Sequence, residues 1–76
     1  FNPSINIDFN LVDNSIVDLS IYNINGQKIE NLVNSYIHKG KHSVIWNATS
    51  QSSGIYFVKI SINNIGSNIK KIVLIK

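Results

Sequence analysis

No cysteine occurs in the chain. Disulfide staples and thiolate metal sites are excluded, and packing alone must hold the fold. Methionine is also absent, and the chain opens at Phe1 inside what reads as a motif, so we expect residues 1–76 to be one domain cut from a longer protein. Arginine is missing too. All seven cationic residues are lysines: Lys28, Lys39, Lys41, Lys59, Lys70, Lys71 and Lys76. Arginine is the usual bidentate reader of phosphate and base edges. Scattered lysines with a net charge of +3 describe a solvated surface, and no nucleic-acid partner is expected. No apolar run approaches the roughly 20 residues of a membrane-spanning helix, and no signal peptide is present. The single proline, Pro3, precedes the first alternating run, where its missing N–H costs no ladder bond.

The chemistry of catalysis is equally sparse. His38 and His42 are the only histidines. They would share a face on a helix, but Gly40 lies between them, and on a strand their spacing separates them by about 13 Å. The carboxylates Asp8, Asp13, Asp18 and Glu30 fall in different runs, and only Asp8 and Asp18 could meet, across adjacent strands. There is no Gly-x-Ser-x-Gly elbow and no phosphate-binding glycine loop. The segment from Asp13 to Asp18 lacks the glycine and distal glutamate of a calcium loop. Asn47-Ala48-Thr49 matches a glycosylation sequon, but in so Asn- and Ser-rich a chain it is most simply chance. We therefore expect no enzyme, no metal and no cofactor.

What the chain does have is a period of two. Ile5, Ile7, Phe9 and Leu11 alternate with Asn6, Asp8 and Asn10; Val17, Leu19 and Ile21 alternate with Asp18, Ser20 and Tyr22. Asp13-Asn14-Ser15 between them has turn chemistry. Asn25-Gly26 after the second run is the pair favoured in a type I′ hairpin. Residues 30–38 are ambiguous, since Ile29, Leu32, Val33, Tyr36 and Ile37 also fit helical spacing. An irregular strand or loop is preferred there, because nine residues with two Asn make a poor helix. Gly40 opens a run carrying His42, Val44 and Trp46. Gly54 opens one with Tyr56, Val58, Ile60 and Ile62 on one face, and Asn63-Asn64-Ile65-Gly66 is a turn before the last run, 68–76. Trp46 and Tyr56 are the candidate core aromatics on facing strands. The expected fold is an all-β, immunoglobulin-like sandwich of about seven short antiparallel strands, with a small barrel second.

Several segments together carry a family resemblance. Phe1-Asn2-Pro3-Ser4 followed by the Ile5–Leu11 run resembles the Asn-Pro opening of the C-terminal sorting domains of the type IX secretion system, whose relatives include the immunoglobulin-like domain of the flagellar hook-capping protein. Ile21-Tyr22-Asn23-Ile24-Asn25-Gly26-Gln27 is similar to that family's hairpin, and Gly40-Lys41-His42-Ser43-Val44-Ile45-Trp46-Asn47 to its tryptophan strand. Ser53-Gly54-Ile55-Tyr56-Phe57 and the terminal Lys70–Lys76 match its last two segments. The motifs stand in the family's order across the whole chain. Asn47 replaces a frequent Asp, the following loop is shortened to Ala48–Ser52, and the Tyr-Pro that commonly precedes the opening is absent.

The resemblance implies a non-catalytic export signal at the C-terminus of a larger cargo. The cargo's N-terminal domain would pass through the periplasm to the cell surface or beyond. The implied partners are the outer-membrane translocon and a surface sortase-like peptidase. Recognition is implied for Lys70, Lys71, Ile72, Val73, Leu74, Ile75 and Lys76. Asn2, Pro3, Asn25, Gly26, Gly40, Trp46, Gly54 and Tyr56 are the structural motif. Two other functions compete. A carbohydrate-binding module would need Tyr22, Tyr36 and Phe57 in an exposed row, which alternation does not establish. A structural spacer would sit inside a chain rather than at its end.

Overall fold

Six strands and no helix form in the computed structural model, which describes residues Phe1–Lys76. They are β1 Ser4–Leu11, β2 Ser15–Tyr22, β3 Lys28–Ile37, β4 Gly40–Asn47, β5 Gly54–Ile62 and β6 Ile65–Leu74. β1 and β4 make one sheet; the other has the order β3-β2-β5-β6. Every pairing is antiparallel. The two sheets face one another as an immunoglobulin-like sandwich. The strand count is six rather than about seven, and residues 30–38, read as an irregular strand or loop, lie almost wholly in one strand that carries two bulges.

The reason lies in β3. Its pairing with β2 carries two register shifts, at Leu19/Ser20 and Ile21/Tyr22. Leu19 opposes Val33 and Ser20 opposes Asn31, so Leu32 is the extra residue; Ile21 opposes Glu30 and Tyr22 opposes Lys28, so Ile29 is the second. Each bulge slips the alternation by one residue. Ile29, Leu32 and Val33 all pack against the core. The helix-like spacing of the apolar residues is the trace of a twice-bulged strand.

Alternation elsewhere does what period two demands. Leu19 and Ile21 of β2, Tyr56 and Val58 of β5, and Ile72 and Leu74 of β6 point inward, where Trp46 of β4 and Ala48, just past its end, meet them. Each large aliphatic side chain so buried contributes about 1.5–3 kcal/mol. Ile5, Ile7 and Phe9 of β1 face the same core but stay half-buried, because two strands do not cover four. Asp8 and Asp18, which alternation alone would have allowed to meet, do not: β1 and β2, neighbours in the chain, belong to different sheets.

The type I′ turn sits elsewhere than expected. At Asn25-Gly26 only the glycine has positive φ, at 80°. Gly26 N–H donates to Asn23 O at 3.0 Å, and Asn23 Oδ1 accepts from the N–H groups of Asn25 and Gln27 at 2.9 and 3.0 Å. This is the arrangement of a turn followed by a glycine bulge, held open by the Asn23 side chain. Asn63 and Asn64 instead take φ of 54° and 57°, as a two-residue type I′ loop requires, and Ile62 pairs with Ile65 across it. Asparagine is the residue after glycine that best tolerates this region.

Candidate recognition surface

β6 lies at the edge of the four-stranded sheet, so one side of its backbone pairs with β5 and the other has no strand beside it. The implied recognition segment, Lys70–Lys76, divides into two sets of side chains. Ile72 and Leu74 are in the core, with Leu74 only 1% exposed. Lys71, Val73 and Ile75 are on the opposite face and exposed. Lys70 is exposed as well, at the edge. Two of its seven side chains therefore serve the core.

The end of the segment is tied down. Phe1 N donates to Val73 O at 2.9 Å, and Ile75 N donates to Phe1 O at 2.9 Å. Together these are the two bonds of a parallel bridge across Leu74. The Phe1 ring reaches Trp46, with centroids 5.8 Å apart. Lys76 N donates to Ser53 Oγ at 3.0 Å and its ammonium donates to Thr49 O. No other lysine ammonium makes a hydrogen bond. Lys70 and Lys71 are thus the free cations of the tail. Nothing in the residue pattern pointed to Phe1 as a cover for the last strand.

The motif residues serve geometry. Pro3 O accepts from Ala48 N at 2.8 Å, which sets the start of β1 beside the end of β4. Trp46 and Tyr56 meet edge to face at 5.3 Å. Trp46 Nε1 donates to Glu30 Oε1 at 3.2 Å, and Tyr56 OH donates to Ser52 O at 2.6 Å. Gly40 and Gly54 each open a strand with φ of 121° and 157°. Asn2, Asn25 and Gly26 lie exposed in the opening segment and the β2–β3 turn.

The outer face of the larger sheet carries a row in register: Lys28, Tyr22, Phe57 and Lys71 stand side by side across its four strands. The Lys59 ammonium lies 5.8 Å from the Tyr22 ring centroid. Tyr22 and Phe57 are therefore neighbours. Tyr36 is opposite Ile16, toward the other end of β2. Asp18 on this face is already occupied, its Oδ1 accepting from Ser20 Oγ and Asn31 Nδ2 at 3.0 and 2.9 Å.

The titratable groups do not gather. The His42 ring meets the His38 carbonyl at 2.6 Å and stacks on Phe9. No three His, Cys, Asp or Glu side chains are placed to share a metal ion. No helix is long and apolar enough to cross a membrane.

Comparison with known proteins yields a match to one family model, described as the secretion system C-terminal sorting domain, over residues 1–76. No curated protein and no solved structure matches. The family match spans every strand of the sandwich, from the opening that covers β6 to the tail it covers, and the chain belongs to the C-terminal sorting domains of the type IX secretion system.

Proposed function

We propose that this domain delivers a cargo joined upstream of Phe1 to the outer-membrane translocon of the type IX system, for surface attachment or release after cleavage by a sortase-like peptidase. Family membership gives the sorting role for type IX secretion, in a family that is in general non-catalytic. The observation that carries the finer reading is the position of the tail. Lys70 and Lys71 project from a sheet edge with their ammonium groups unengaged. Lys70–Lys76 is the segment recognised, through the side chains that do not enter the core.

Deleting Lys71–Lys76 from a cargo fusion should leave the cargo in the periplasm. Normal appearance of the truncated fusion outside the cell would overturn the reading. A carbohydrate-binding role finds support in the Tyr22–Phe57 pair. The Lys59 ammonium over the Tyr22 ring competes for the surface a sugar would need. Binding of the domain to a glycan array would favour that alternative.

A further inference from the structure

Two unpaired strand edges open on one flank of the sandwich. β6 ends the larger sheet, and β1, which has a single partner, faces it from the smaller one. Between them runs a groove of about 350 Å³. Ile5, Ile7, Ile60, Ile62 and Ile72 line it, and Lys70 stands beside them.

The chain itself shows how this edge can be used. Phe1 bonds to Val73 O and Ile75 N, so the backbone of Val73 points away from β5. Along an antiparallel strand that direction alternates. No register shift intervenes between Ser67 and Val73. Ser67, Ile69 and Lys71 therefore also turn their N–H and C=O groups outward, and no other part of the chain bonds to them.

We propose that a partner adds an extended strand to β6 beside Ser67–Lys71, with apolar side chains entering the groove toward β1 and acidic ones meeting Lys71 on the outer face. This rests on the sorting-domain reading and names the chemistry of the partner. Strand addition draws affinity from main-chain bonds and selectivity from alternate side chains. The groove fits the apolar half of such a pattern. Lys28, Lys59 and Lys71 share the outer face, and its one carboxylate, Asp18, is held by Ser20 and Asn31. Edge lysines ordinarily keep sheets from pairing indiscriminately. Here they would refuse neutral or basic strands and admit an acidic one.

The decisive variant is Ile69→Pro in a cargo fusion. Proline removes an outward N–H that β5 does not use, so the β5–β6 ladder survives. Export of Ile69→Pro should fall about tenfold or more while Ile69→Ala exports normally. Lys71→Pro repeats the test one pleat along and should lower export further than Lys71→Ala, which loses the charge but keeps the outward N–H. A folded Ile69→Pro that exports like the parent overturns strand addition; if the Lys71–Lys76 deletion still blocks export, the sorting reading survives alone. If both proline variants unfold, the outward orientation is wrong and the proposal fails. Self-association of the purified parent at micromolar concentration, lost in Ile69→Pro, would assign the edge to a second copy and equally overturn it.

Discussion

Trp46 and Tyr56 meet edge to face with ring centroids 5.3 Å apart, one from each sheet, and each hands its polar atom to a different part of the chain. The indole N–H goes to Glu30 of β3 and the phenol to the carbonyl of Ser52 in the β4–β5 loop. This pair joins the sheets at their centre, and Trp46 is fully buried. Trp46→Ala should cost about 3–5 kcal/mol, enough to unfold so small a domain. Urea denaturation followed by far-ultraviolet circular dichroism measures it; a loss under about 1 kcal/mol would remove Trp46 from the centre of the core.

Glu30 tests the polar side of the same contact. Glu30→Ala leaves a buried indole N–H without an acceptor and should cost about 1–3 kcal/mol. Glu30→Gln keeps an acceptor oxygen and should stay within about 0.5 kcal/mol of the parent. Equal losses in both variants would show that charge, and not hydrogen bonding, matters there.

The type I′ loop predicts an asymmetry between adjacent asparagines. Asn64 uses only its tolerance of positive φ, so Asn64→Gly should be neutral or slightly stabilising and Asn64→Ala should cost about 1 kcal/mol. Asn63 also accepts from Ile16 N through its side chain, at 2.8 Å. Asn63→Gly should therefore lose about 1 kcal/mol despite its freer backbone. Thermal melts of the three variants settle the order.

Within the tail, stability and export should separate. Leu74→Ala removes a core side chain and should cost about 2–5 kcal/mol. Lys70→Ala and Lys71→Ala should leave stability within about 0.5 kcal/mol while reducing export. A melting point that falls in the lysine variants would mean these ammonium groups hold the fold.

The Phe1 bridge predicts a local effect. Removing residues 1–3 should speed amide exchange at Ile75, whose N–H bonds to Phe1 O, by about tenfold or more. The Val58 amide, deep in the larger sheet, should slow-exchange in both forms if the domain remains folded.

Much of this fold was legible because a half-buried strand must alternate. β1, β2, β4 and β5 are found where period two placed them, and the Trp46–Tyr56 contact follows from two inward positions on facing strands. β3 was legible only as an irregular strand or loop, because Leu32 and Ile29 are bulged residues that break the period while still reaching the core. The Asn-Gly pair misled for a related reason. Asn23 supplies three hydrogen-bonding contacts around the turn and imposes a wider loop than the two central residues alone would choose. Of the proposed recognition surface, the lysines could be read and their exposure inferred. The hold of Phe1 on Val73 and Ile75 joins opposite ends of the chain, and no local pattern encodes it.

That hold brings the two termini to one pole of the molecule. A short peptide spliced from Lys76 back to Phe1 would span little distance, and fresh ends could be opened at the distant Asn63-Asn64 turn. Such a circular permutant would keep the shape of β6 and abolish its status as the final strand. It would tell whether the export machinery reads a surface or counts from the end.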